Sequence, residues 1–288
     1  MTFINNPYLS TPAYKLRGNL HSHSTRSDGT RTPQCVIDDY ASRGYHFLML
    51  SDHNCLADYK GLDPRGMILI PGNEVTSKIH TLHLNAKSLV KTSDDPQNVI
   101  NDVRKDGGYT IMNHPNWQET FNHIPQAVLE ACDGYLGLEV LNGVVKRLYG
   151  NELATDRWDM LLSAGRKVLG FGNDDAHHDD DSGLAWNIVW TDDRSPEGVI
   201  RALTSGSFYV SSGVEITAIR VVGEYLHVET ANARRMIVTS MHGKRVADVI
   251  GREVHYRIKD ADSGYLRVSA YGDPDEYAFT QPFYLTSG

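Results

Sequence analysis

The sequence predicts an α/β fold: a seven-stranded (β/α)7 barrel over residues 1–212, followed by a small all-β, sandwich-like antiparallel domain over residues 213–288. Three observations lead there. Short β-type runs alternate with helical stretches through the first two thirds of the chain, the pattern of a parallel sheet with crossover helices. Imidazole and carboxylate side chains recur where those runs end, and barrels carry their sites at the carboxyl ends of the strands. After about Ser212 the helical stretches stop and strand-like runs follow one another directly.

The candidate barrel strands are residues 16–23, 45–51, 67–71, 81–86, 109–113, 135–140 and 167–172. Seven runs suit a closed barrel better than an open sheet. Helical patterns lie between them at 33–43, 96–105 and 151–164. Thr32-Pro33 is a strong helix start, a capping hydroxyl followed by proline at the first helical position. In the tail, residues 215–222, 225–229, 235–240, 254–259 and 265–270 read as short strands. Turn residues such as Asp262-Ser263-Gly264 and Gly272-Asp273-Pro274 join them.

The bulk composition narrows the function. With 288 residues the chain can bury a large core, and 40% hydrophobic against 22% charged residues is an ordinary globular balance. The net charge of -8 disfavours a nucleic-acid polymer as the main partner. It leaves room for a small phosphorylated substrate, because bound metals supply positive charge locally. No run approaches the roughly 20 apolar residues of a membrane span. Residues 1–15 lack the basic-then-apolar pattern of a signal peptide. Cys35, Cys55 and Cys132 are widely spaced and odd in number, which points to a reducing, cytoplasmic setting.

The chemistry-bearing residues cluster. His21 and His23 are two apart on a strand, so both imidazoles face one side and can share a metal. Asp28, in the turn Ser27-Asp28-Gly29, is placed to return a carboxylate to that site. Asp52 and His53 are adjacent and face opposite ways, so His53 reads as a ligand and Asp52 as a group orienting an imidazole. Glu74 follows the apolar run 68–72, and a carboxylate there is costly to bury without a partner. It is the best candidate for a carboxylate shared between two cations. Of His80 and His83, His83 is favoured because it lies inside a strand-like run. His114 follows a strand and precedes Pro115, which ends that strand. In Asp174-Asp175-Ala176-His177-His178 either Asp and either His can turn inward. His21, Asp52, Glu74, His114, Glu139 and Asp175 all fall at or just past a candidate strand end. Asp179 to Asp181 read as a solvated acidic loop. His46, His123, His227, His242 and His255 read as ordinary surface or core residues.

In this order the chain resembles the PHP family, named for its polymerase and histidinol phosphatase domains. The resemblance rests on Asn19-Leu20-His21-Ser22-His23-Ser24, Ser27-Asp28-Gly29, Ser51-Asp52-His53-Asn54, Gly72-Asn73-Glu74-Val75, Asn113-His114-Pro115 and Gly172-Asn173-Asp174-Asp175-Ala176-His177, and covers about residues 16–212. It implies a distorted, TIM-like barrel that binds two or three divalent ions, commonly manganese, iron or zinc. By position it implies His21, His23, Asp28, His53, Glu74, His83, His114, Asp175 and His177 as the ligand set. One departure stands out: Asp174 occupies a place where the family usually has Ser. The tail, through Gly264-Tyr265-Leu266-Arg267-Val268 and Gln281-Pro282-Phe283-Tyr284-Leu285, is similar to that of a branch containing carbaryl hydrolases.

The expected function is hydrolysis of a small-molecule phosphate ester, mono- or diester, by a hydroxide bridging the metals in a trinuclear centre. Glu74, Asp175 and His177 are the expected catalytic groups, with Asp175 or His177 supplying a proton to the leaving oxygen. Arg26, Lys146, Arg147 and Arg157 are the expected phosphate contacts, with Lys87 a weaker one. Trp117 and Tyr149 are placed to pack on an organic leaving group. The same metal chemistry serves hydrolysis of a carbamate, carboxyl ester or amide. A non-catalytic accessory module is the reading of a different class, and the intact ligand set argues against it.

Overall fold

Three of the helices begin on the same dipeptide logic. α1 (Pro33–Ser42), α2 (Pro96–Asp106) and α5 (Pro196–Ser205) start with proline after a capping Thr32, Asp95 or Ser195. Each cap side chain accepts a hydrogen bond from a backbone N–H of the first turn, which satisfies a donor the helix leaves unpaired. α3 (Gln126–Ala131) and α4 (Thr155–Ser163) complete the set. The structure is a computed structural model and describes residues 2–8, 11–259 and 262–287.

Strands run in chain order as β1 (Thr2–Asn5), β2 (Tyr14–Asn19), β3 (Phe47–Leu48), β4 (Ile68–Leu69), β5 (Gly72–Thr76), β6 (His80–Leu84), β7 (Tyr109–Met112), β8 (Gly137–Asn142), β9 (Leu169–Asn173), β10 (Trp186–Thr191) and β11 (Phe208–Ser211). The tail adds β12 (Ile216–Val222), β13 (Tyr225–Thr230), β14 (Arg235–Ser240), β15 (Lys244–Ile250), β16 (Glu253–Arg257), β17 (Tyr265–Tyr271), β18 (Tyr277–Thr280) and β19 (Phe283–Ser287).

Two arcs of sheet frame the N-terminal part. One runs β10-β2-β3-β4, the other β5-β6-β7-β8-β9. β2, β3 and β4 are mutually parallel, as are β7, β8 and β9. β6 runs antiparallel to both β5 and β7. This departs from the all-parallel expectation, and the cause is local. Residues 77–79 are too few for a crossover, so β5 and β6 form a hairpin instead. Glu74 consequently lies inside a strand rather than beyond one. Parallel bridges at Ser22–Ala176 and His53–Glu74 link the arcs where β2 meets β9 and β3 meets β5. β8 is buried along its whole length, as a strand covered on both faces must be. α5, β10 and β11 lie in a stretch the strand–helix reading left unassigned, although Ser195-Pro196 carries the same start signal as Thr32-Pro33.

Of the tail, β12, β13 and β16 form a three-stranded sheet of their own, while β14, β15, β17, β18 and β19 join the N-terminal strands. β11 pairs with β18, β1 pairs with β19, and both belong to one 11-stranded sheet that includes β2. An ion pair with its arginine buried adds to this: Arg267 on β17 donates from Nε and Nη2 to both oxygens of the half-buried Asp159 on α4, at 2.7 and 2.6 Å. The Tyr265 hydroxyl donates to Asp159 Oδ1 at 2.7 Å, and Arg267 Nη1 donates to Ser269 Oγ. Among the described residues no helix is long and apolar enough to cross a membrane.

Removing the carboxylate partner of a buried arginine strands its charge. Asp159→Ala is therefore expected to lower the unfolding free energy by about 3–5 kcal/mol, read as a lower urea midpoint at unchanged slope. A loss below about 1 kcal/mol would instead mark the pair as solvent-screened.

Candidate metal centre

Glu74 sits at the middle of the site and is 1% exposed. Its Oε1 lies 3.5 Å from His21 Nε2, 3.2 Å from His80 Nδ1 and 3.6 Å from His114 Nε2. Its Oε2 lies 3.6 Å from His23 Nε2 and 2.8 Å from His53 Nδ1. The two oxygens thus face two different groups of imidazoles. Asn113 Nδ2 donates to Oε1 at 2.7 Å and holds the carboxylate in that plane.

Three ligand groups overlap around it: His23, Asp28, His53 and His177; His21, His23 and Asp175; and Glu74, His80 and His114. Within each, one donor atom per residue lies within 4.8 Å of the others. Eight of the nine residues expected as ligands are brought together. The exception is His83. Side chains alternate along β6, so His80 and His83, three apart, face opposite sides. His80 enters the site. His83 is buried on the outer side, 3.4 Å from Asp106 near the end of α2. Asp174 against Asp175 also resolves. Asp174 accepts backbone N–H bonds from Gly183, Leu184 and Ala185 and the Tyr40 hydroxyl, so it is spent on the fold. Asp175, at φ +57°, is turned inward to 3.1 Å from His21 Nε2 and 3.2 Å from His23 Nε2. His114 also has positive φ, +30°. Left-handed backbone at two non-glycine residues is a cost that surrounding structure must offset. His178 is exposed, while His177 Nδ1 donates to the Asp175 carbonyl at 2.8 Å and leaves Nε2 facing the site.

Supporting groups are also fixed. Glu139, noted in the sequence only as a strand-end residue, accepts from His21 Nδ1 and Asn173 Nδ2 on Oε1. On Oε2 it accepts from the His114 N–H and Asn142 Nδ2. It therefore sets the His21 tautomer and leaves Nε2 free. Asp52 orients no imidazole, contrary to expectation. It accepts from Ser24 N–H, Ser24 Oγ and Ser27 Oγ, and so holds the turn that carries Asp28. Gly29 completes that turn, for a Cβ there would lie 2.5 Å from the His23 carbonyl oxygen. His123, read as an ordinary histidine, packs on His80, His114 and Trp117 and accepts from the His80 N–H. Burial, then the neighbouring imidazoles, push its pKa far down and keep it neutral. Asp181 is buried, not solvated: Arg147 pairs with it through two bonds of 2.6 and 2.7 Å, and it accepts from the His177 and His178 N–H groups.

A cavity of about 290 Å³ opens over the cluster. Its walls are Asp28, His53, Glu74, His80, His114, Asp175 and His177 on one side, and Trp117, Val144, Val145 and Leu148 on the other. The four cations expected to bind phosphate do not line it. Arg147 holds Asp181, and Arg157 donates to Asn116, Phe121 and Asn122. Lys146 points toward Asp275 at 3.8 Å, Arg26 Nη1 is buried without a hydrogen-bond partner, and Lys87 lies against Gly107. Tyr149 is 72% exposed and also outside the wall.

Electrostatically the cluster is built for cations. Burial raises the Glu74 pKa, but His21, His114 and His53 overcome it and hold the carboxyl well below its usual range. Asp28 and Asp175 are held down in the same way, against burial, by facing imidazoles. His21 and His177 are pushed up despite burial by Asp175 and Asp28 respectively, and His53 reaches about 10. His21 Nε2, His23 Nδ1, His114 Nδ1 and Glu74 Oε2 are buried without hydrogen-bond partners. Such orphaned donors and acceptors are costly unless a further group engages them. An all-nitrogen and oxygen set without thiolate fits manganese, iron or zinc.

No family model matches the chain, and no curated protein matches it. Among solved structures it is similar to a two-domain protein from Bacteroides vulgatus containing a predicted PHP-like metal-dependent phosphoesterase. The TM-score is 0.58 at 18% identity, over 97% of this chain and 98% of that one. More distant are a lesion-specific endonuclease from Pyrococcus furiosus (TM-score 0.48, 15% identity, 66% and 56% covered) and an amidohydrolase from Chromobacterium violaceum with bound sulfate (0.44, 15%, 56% and 87%).

The pKa directions set the pH dependence of the metal-free protein. Carboxyls held low stabilise the fold above their usual pKa near 4, and that stability is lost as pH falls. His53, held high, stabilises fully below about 6.5 and loses that contribution as pH rises toward about 10. Chelator-treated protein is expected to be more stable to urea near pH 6 than near pH 9, and a flat profile across that window would contradict the charge pairing.

The motif order and the full-length structural likeness agree, and the fold of this chain is the PHP-like one.

Proposed function

We propose that the seven strands β2, β3, β4, β6, β7, β8 and β9, with β5 as the hairpin partner of β6, form one distorted ring around a centre of two or three divalent ions, and that the protein is a metal-dependent hydrolase of small-molecule phosphate esters. The observation that carries the reading is Glu74, whose two oxygens face separate imidazole groups beneath an open cavity. The bridges at Ser22–Ala176 and His53–Glu74 support the ring. His21, His23, Asp28, His53, Glu74, His80, His114, Asp175 and His177 would hold the ions. Bound there, divalent ions supply Lewis acidity and lower the pKa of water toward neutrality.

The chain's own residues do the rest. Glu74, which offers its two oxygens to two different groups of imidazoles, would hold ions on either side. Glu139 and Asn113 keep His21 and Glu74 from rotating. His177 is anchored through Nδ1, which leaves Nε2 available to hold an ion at the cavity edge. Trp117 and Leu148 form an apolar wall suited to an organic leaving group.

A second reading, hydrolysis of a carbamate, carboxyl ester or amide, is favoured by one specific observation. No Lys or Arg is among the residues lining the cavity, so a substrate without phosphate loses no fixed counter-charge here.

A panel of phosphomonoesters, phosphodiesters and aryl carbamates, run on metal-analysed protein, tests both. Phosphate-ester turnover is expected, falling by about 10²–10³-fold in Glu74→Gln, a loss of the size seen when a key electrostatic group is removed. Lys146→Ala is expected to leave KM nearly unchanged, and Trp117→Ala to raise it for aryl esters over methyl esters. Carbamate turnover without any phosphate release would overturn the leading reading. Absence of bound transition metal and of all activity would favour an accessory module.

A further inference from the structure

The sheet of β12, β13 and β16 carries a second set of metal-type side chains, outside the centre described above. β13 and β16 are antiparallel, and their register sets His227 opposite His255 and Glu229 opposite Glu253. Side chains alternate along each strand, so these four project from one face. The other face presents Leu226, Val228, Val254 and Tyr256 to the core. The four groups therefore stand on a frame anchored from beneath.

Their donor atoms lie close together. The two imidazoles stack with centroids 3.6 Å apart and planes 17° apart, so a turn of one ring about its side-chain bonds brings both lone pairs to a single ion. His227 Nε2 lies 3.4 Å from Glu229 Oε1 and 3.7 Å from Glu253 Oε2, and His255 Nε2 lies 4.0 Å from Glu253 Oε2. Donor atoms of His227, Glu253 and His255 all fall within 4.8 Å of one another. His227 Nε2 is buried and has no hydrogen-bond partner. Like charges directly opposite on paired strands are destabilising, and Glu229 faces Glu253. Arg220 on β12 answers only one of them, donating to Glu229 Oε1 at 2.6 Å. Glu253 stays available, beside a groove of about 590 Å³ that opens to solvent next to Glu253 and His255.

We propose that His227, His255 and Glu253 form a second site for a divalent transition metal, separate from the centre around Glu74. Two imidazoles and a carboxylate match zinc, copper or nickel and not calcium or magnesium, which take oxygen ligands. The ion joins β13 to β16 across the sheet. Arg220 works against it: its Nη1 lies 3.4 Å from His227 Nδ1, the nitrogen that must carry the proton when Nε2 binds metal.

The test uses the full chain and metal alone. Equilibrium dialysis against micromolar zinc, with elemental analysis, compares the wild type with His227→Ala/His255→Ala and with Glu253→Gln. The double variant is expected to bind one equivalent less while the remaining equivalents stay, and Glu253→Gln to bind that equivalent more weakly. Copper added to the wild type should show nitrogen hyperfine structure from two imidazoles in its paramagnetic resonance spectrum, absent in the double variant. Arg220→Gln is expected to tighten zinc binding. Equal zinc content in wild type and double variant, both folded by circular dichroism, overturns the proposal, as does loss of the equivalent in Arg220→Gln.

Discussion

A carboxylate that is 1% exposed cannot stand alone in a protein interior, and the architecture around Glu74 answers that constraint. Five imidazoles, from His21, His23, His53, His80 and His114, lie within 3.6 Å of its two oxygens. They come from segments widely separated in sequence, so the carboxylate can be buried only when the strand ends have assembled. The N-terminal fold and the site are in that sense one structure. His21 and His53 gain from the carboxylates, and Glu74 from the imidazoles. Several donor atoms nonetheless stay unpaired, which is the signature of a site that takes cations.

Holding many polar groups at one end of a sheet needs a scaffold with few degrees of freedom. Buried amides provide much of it. Asn19, Asn113, Asn142, Asn173 and Asn187 are at most 1% exposed. Asn187 bonds both backbone groups of Gly172, tying β10 to β9. Asn19 accepts from the Asp174 N–H and donates to the His21 carbonyl. Cations serve the scaffold as well. Arg147 clamps the loop after His177 through Asp181, and Arg157 braces the loop that carries Trp117. The cavity wall facing the cluster is left to Trp117, Val144, Val145 and Leu148.

Part of the site was legible from periodicity: His21 and His23 share a face by their spacing of two, whereas either Asp and either His of residues 174–178 could have turned inward. His80 against His83 was likewise open. Alternation says that the two face opposite ways, but which faces inward depends on the register of β6 against β5 and β7, a long-range property. Asp52 misled for a related reason. Adjacency to His53 suggests a partner in the same segment, whereas its actual partners, Ser24 and Ser27, come from another strand end. Glu139 and His123 carried a faint signal at most. Glu139 sat at a strand end beside Asn142, and His123 followed a turn after Trp117 with nothing to mark it.

The sequence by itself determined the kinds of side chain at the site, their order along the chain, the capped starts of α1 and α2, and the succession of strands without intervening α-helices after Ser212. These depend on local spacing, capping chemistry and turn residues, which neighbours in sequence settle. The tertiary structure alone decided which His on β6 enters the site, which of two adjacent aspartates turns inward, and where the arginines go. Those outcomes depend on register, on left-handed backbone at His114 and Asp175, and on partners far away in the chain. Burial selects among alternatives that local chemistry leaves equal, because each buried polar group must find its partner in three dimensions.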